Sequence, residues 1–168
     1  MTGPAVEGRD GTMLRPPSIN QSPSGAARYA MEHGCVPFVR DGTPVLKRMR
    51  PAFYSRRDTN VLAVSTRVSL ETGSRGECTI RSTHGDPQAL RKAVLDALQS
   101  AGAQPRSIQD SGLGSRDSIG HFRQETHCLT LNGRPGYLVM STSGERNRPK
   151  LQASIGVDSN GPCDRAAG

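Results

Sequence analysis

The sequence predicts an α+β fold, a single amphipathic helix packed on an antiparallel sheet in the order ββαββββ, behind a disordered N-terminal leader. Three observations predict it. Apolar residues alternate at period two in several short segments after residue 60. One segment, residues 87–101, carries helical periodicity instead. Asn132-Gly133 stands between two alternating runs, the strongest short signal for a two-residue type I′ hairpin.

In NVLAVSTRVSL, Leu62, Val64, Val68 and Leu70 share one face at period two, so the run reads as a first strand. ETGSRG reads as a turn, and ECTIRS returns with Cys78 and Ile80 on a common face, completing a hairpin. DPQALRKAVLDALQSAG is the helix. Asp86 sits at the N-cap position, Pro87 suits the first turn, and Gly102 is placed for the left-handed C′ conformation. Its apolar stripe is Leu90, Val94, Ala97, Leu98 and Ala101, with Arg91, Lys92, Asp96 and Gln99 on other faces.

RSIQDS then reads as a short strand and GLGSRDS as a loop. HFRQETHCLTL and RPGYLVMSTS flank Asn132-Gly133, a register that sets Cys128 opposite Tyr137 on the face of Thr126 and Val139. KLQASIGV alternates Leu151, Ala153, Ile155 and Val157 as the last strand. Such a sheet needs one face covered, and the helix supplies the cover.

Four stretches follow: residues 1–45 a disordered or loosely docked leader, 46–59 a basic linker, 60–158 the α+β domain, and 159–168 a flexible tail. Val36–Val39 is expected to dock on the domain or add an edge strand, since Pro37 keeps it from a central position.

Apolar residues make up 33% of the chain and aromatics 4%, with no Trp, so the core is thin and gains from cross-links or a partner. The formal charge is +7, of which residues 1–59 carry +4 (nine cations, five anions). That excess favours anionic partners and solubility rather than any fold. Arg outnumbers Lys nineteen to three, a bias that GC-rich coding produces without any function. No segment has the roughly 20 apolar residues of a membrane span. The N-terminal residues lack the apolar core of a signal peptide, which reads as cytoplasmic. Four cysteines pull the other way, toward an extracytoplasmic protein whose start is truncated or misassigned.

KRMRPAFYSRR is the most distinctive stretch. Lys47, Arg48, Arg50, Arg56 and Arg57 suit phosphates, while Phe53 and Tyr54 suit stacking on unpaired bases. Arg146, Arg148 and Lys150 would supplement it. The plainer reading is a solvated hinge. GLGSRDS has a Gly-x-Gly pair but precedes a strand pattern rather than a helix, so it is not a phosphate loop.

His33, Cys35, His127 and Cys128 have zinc-ligand chemistry, yet neighbours on a strand point to opposite faces, and no CxxC occurs. His84 and His121 complete the histidines, and no metal or cofactor is expected. His127, Cys128 and Glu125 hold the residue types of a nucleophilic triad, but such an arrangement is spatial and is not read from sequence neighbours, and GxSxG is absent. The cysteines fit either buried thiols or two disulfides; the strand reading suggests Cys78 with Cys128 and Cys35 with Cys163. The expected role is a non-catalytic binding or accessory module for an unknown protein partner. The alternatives are a nucleic-acid binder using residues 47–57 and a disulfide-stabilised extracytoplasmic domain.

Overall fold

Eight antiparallel strands form one sheet in the computed structural model, which describes residues 22–45, 55–56, 59–65, 67–110 and 122–167. The described chain opens with α1 (Pro23–Ala30), a π-helical turn (Met31–Cys35) and α2 (Val36–Asp41). A meander follows: β1 (Ser55–Arg56), β2 (Thr59–Ala63), β3 (Val68–Gly73) and β4 (Cys78–Ser82). Helix α3 (Pro87–Ser100) then carries the chain to the far edge, where β5 (Arg106–Asp110) begins a second meander. Strands β6 (Phe122–Leu131), β7 (Arg134–Ser143) and β8 (Leu151–Val157) return inward until β8 pairs with β4. The spatial order is β1-β2-β3-β4-β8-β7-β6-β5. The short helix α4 (Pro162–Ala167) closes the described chain.

The fold is α+β with a helix on an antiparallel sheet, as the sequence predicts. Both ends of α3 are where its residues place them. The Asp86 carboxylate accepts the Ala89 N–H at 2.9 Å, and Pro87 opens the helix. Gly102 sits at φ +80°; its N–H reaches the Gln99 carbonyl and the Ala103 N–H the Leu98 carbonyl, a Schellman pair. Asn132 and Gly133 have φ of +54° and +80°, as a type I′ turn demands. Leu90, Val94, Ala97 and Leu98 of α3 are buried against Leu70, Ile80, Leu138, Met140, Ala153 and Ile155 of the strands.

Four expectations are corrected. The run from Asn60 to Leu70 is not one strand but β2 and β3, paired with Leu62 opposite Leu70. The break is at Ser65, whose hydroxyl accepts the N–H groups of Arg67 and Val68 and so closes a turn the alternation conceals.

Residues 23–41 are not a loose leader. Ser22 caps α1 by accepting the Gly25 N–H at 2.9 Å, and Ala26, Ala27, Ala30, Met31, Cys35 and Val36 are fully buried beside α3. Small alanines let the two helices approach closely. Pro37 cannot donate to the carbonyl four residues back, and the π turn before it widens the ladder, with the Val36 N–H reaching Met31 O. Val36–Val39 thus docks as helix, not as an edge strand.

Residues 159–167 are not a free tail either. The Asp158 side chain accepts the Cys163 N–H at 2.7 Å, and Cys163 is bonded to Cys128.

The disulfides join Cys35 to Cys78 and Cys128 to Cys163. Pairing Cys78 with Cys128 is ruled out by topology. Strands β8 and β7 lie between their strands, a gap of roughly 14 Å at about 4.8 Å per strand. The two residues also face opposite sides, Cys78 beneath the helices and Cys128 on the open side. Each observed bond ties a helical segment to a strand.

Cys35→Ala/Cys78→Ala should cost about 4 kcal/mol, because the bond closes a 43-residue loop. Urea unfolding of the pair variant checks this, and a loss below about 1 kcal/mol would mean the helical segment holds by packing alone.

Candidate functional site

Register fixes which side chains share a face, and one row crosses the covered face as Leu70, Ile80, Ala153, Met140, Glu125. Four apolar residues are followed by a carboxylate. Glu125 is only 1% exposed, and α3 supplies its counter-ion. Arg91 donates from Nε and Nη2 to the two carboxylate oxygens at 2.6 and 3.0 Å. His127, next along the same face, donates from Nε2 to Oε1 at 2.9 Å. A carboxylate only accepts, so the ring proton sits on Nε2. Arg123 lies 3.7 Å away on the other side and is itself held by Asp110.

Burial alone would push the Glu125 carboxyl up. The hydrogen bonds from His127 and Arg91 and the charges of Arg91 and Arg123 outweigh it, bringing the pKa down to about 2. Asp110 is also held below its ordinary value, chiefly by hydrogen bonds from Arg123. The cluster is an ionic bolt between helix and sheet, with Glu125 and His127 enclosed and the two arginines partly exposed. It has no accessible nucleophile, since neighbouring Cys128 points to the other face and is disulfide-bonded.

The opposite face of the sheet is polar. Thr79 and Ser154 hydroxyls meet at 2.6 Å, and Arg81 bridges Gln152 and Glu71, both at 3.2 Å. Val139, 38% exposed, is the large apolar residue amid them. Tyr137 lies across Gly156, where a Cβ would fall 2.5 Å from its hydroxyl, so the glycine makes room for the ring.

At the hairpin end of β6 and β7 this face deepens into a cleft of about 420 Å³. It is lined by Gln104, Arg106, Cys128, Leu129, Thr130, Gly133, Arg134, Pro135 and Cys163. Three parts of the chain build it: the loop leaving α3, the β6–β7 turn and the disulfide-anchored segment after β8. The loop is pinned by the Thr130 N–H to Ala103 carbonyl bond at 2.8 Å, which sets Gln104 at φ +50°. Arg106 is paired in register with Cys128 and so stands beside the disulfide.

Of the basic segment, Lys47, Arg48, Arg50, Phe53, Tyr54 and Arg57 lie outside the described residues, and only the backbone of Arg56, in β1, is described. Two of its three supplementary cations are occupied: Arg148 pairs with Glu145 at 2.9 Å and stacks over Phe122, and Lys150 donates to the Gly144 and Glu145 carbonyls. The GLGSRDS loop and His121 are also outside the described residues. His33 packs on Tyr29, and His84 is hydrogen-bonded to Thr83. Cys35 and Cys128 belong to different disulfides, so the His33–Cys35–His127–Cys128 combination is split. No helix among the described residues is long and apolar enough to cross a membrane.

Sequence reasoning missed the cleft and the bolt. The signal for the bolt was legible: Arg123, Glu125 and His127 occupy the strand positions that Leu129 and Leu131 continue on the buried face. The cleft left no such trace, because its walls come from segments far apart in the chain.

No protein-family model matches the sequence, and no curated protein is similar to it.

Glu125→Gln should cost roughly 3–5 kcal/mol, because Arg91 loses its charge partner in a largely enclosed site. With pH the sign is fixed by the lowered carboxyl. The bolt's stabilisation, roughly 3 kcal/mol, is complete above about pH 5 and is lost as pH falls toward about 2. Thermal melts of wild type and Glu125→Gln should therefore converge in acid. Parallel curves down to pH 2 would exclude this assignment.

Proposed function

We propose that this chain is a non-catalytic binding domain built for an oxidising, extracytoplasmic compartment. The observation that carries the reading is the placement of its four cysteines. Each disulfide ties one helical segment to the sheet, and the two lie on opposite faces. A thin core with few aromatics depends on such cross-links, and reducing compartments do not preserve them. The binding role is supported by the division of chemistry between the faces. The histidine–carboxylate pair is sealed under α3, whereas the open face offers hydroxyl, amide and guanidinium groups and a cleft.

The nucleic-acid reading is the weaker one, because Arg148 and Lys150 are spent on the loop's own acceptors.

Protein secreted into an oxidising compartment should gain the mass of four hydrogens on reduction, two for each disulfide. It should also melt at a lower temperature once reduced. Free thiols in the native protein, or a melting point indifferent to reductant, would overturn the compartment assignment. A reproducible turnover abolished by one side-chain replacement would overturn the binding role.

A further inference from the structure

We propose that the cleft at the β6–β7 hairpin end binds an oxyanion, a carboxylate or phosphate carried on a small, partly apolar body. This rests on the reading of the chain as a binding domain and names what it takes.

The lining holds two arginines, an amide and a hydroxyl, and not one carboxylate. That matters because Arg28, Arg40, Arg81, Arg91, Arg123 and Arg148 each face an acidic side chain elsewhere in the molecule. Arg106 has no such partner among the described residues. Arg134 donates from Nη2 to the Arg40 carbonyl at 3.0 Å, a neutral acceptor that braces the guanidinium and leaves its charge uncompensated. Arg67, Arg75 and Arg146 also lack an acid among the described residues, but they sit on turns outside the cleft. At the cleft, uncompensated positive charge coincides with a concavity.

The framework is rigid. Arg106 is fixed on β5 opposite Cys128, and Arg134 begins β7 directly after the Asn132-Gly133 turn. Gln104 and Thr130 are held together through the Thr130 N–H to Ala103 bond. A guanidinium meets carboxylate or phosphate in a bidentate geometry, and Arg134, already braced on the Arg40 carbonyl, loses little freedom on binding. The remaining walls, Leu129, Pro135 and the Cys128–Cys163 bridge, are apolar. Together with a volume of about 420 Å³, they favour an anion with a body attached over a bare inorganic ion.

The test is a two-dimensional NMR titration of the full oxidised chain with phenyl phosphate, benzoate and inorganic phosphate. Phenyl phosphate, benzoate or both should give saturable shifts at the Thr130 and Gly133 amides, weakened by added salt, and inorganic phosphate should bind less tightly. Which of the two organic probes binds better decides between phosphate and carboxylate. Arg106→Gln and Arg134→Gln should each weaken binding about tenfold or more, with Arg146→Gln unchanged. Because Arg106 and Arg134 are exposed, both variants should keep the wild-type spectrum away from the cleft, save near Arg40, whose carbonyl Arg134 braces. Absence of saturable shifts, equal loss in Arg146→Gln, or tightest binding by inorganic phosphate would overturn the proposal. Shifts confined to Val139 and Ser154 would overturn the cleft assignment and leave the binding-domain reading standing.

Discussion

The pairing of β4 with β8 holds the architecture together. Strands β1 to β4 and β5 to β8 are separate antiparallel meanders, and this five-pair seam, Cys78 with Ile155 through Ser82 with Leu151, is their one ladder contact. Helix α3 links the two halves in sequence, but the seam makes their apolar faces one surface. Leu151, Ala153 and Ile155 are fully buried there, between Ile80 on one side and Leu138 and Met140 on the other. Without the seam each meander would present an apolar face too narrow for α1 and α3 to cover together.

That surface is covered economically, and the cross-links suit the economy. Seven of the buried residues are alanines, each of which removes little apolar area from water. The Cys35–Cys78 bond fixes the first helical segment over the strand that forms the seam. The Arg91–Glu125 pair does the same for α3 over β6, at a position where the row of apolar residues runs out. Covalent attachment thus acts at the central seam and ionic attachment toward the β6 side, with packing holding the rest of the core.

Elements governed by local chemistry were legible in the sequence. Asp86, Pro87 and Gly102 delimit α3 through their own backbone and side-chain preferences, and Asn132-Gly133 fixes the longest hairpin by conformation alone. Legibility failed where a non-local partner decides. Residues 23–41 look like broken apolar fragments until α3 and β4 give Ala26, Ala30 and Cys35 something to pack on or bond to. The Ser65 turn was hidden because Val64 and Val68 keep a period-two pattern across it. Cysteine pairing depends on strand order, and nothing local reveals that β8 inserts beside β4. The basic segment, the most conspicuous feature of the sequence, falls almost wholly outside the described residues.

The arrangement of charge connects stability with the proposed role. A partly buried arginine without an acid is costly, and Arg91 and Arg123 are matched by Glu125 and Asp110. Arg106 and Arg134 are exposed, where water solvates the charge and the fold has no need of a counter-ion. The strand register and the Cys128–Cys163 anchor nonetheless hold them around one concavity. Neither forms an ion pair with an acidic side chain among the described residues, so salt bridging within the fold does not account for gathering them there. An incoming oxyanion would complete at the cleft the kind of pairing that the Arg91–Glu125 contact makes for the fold.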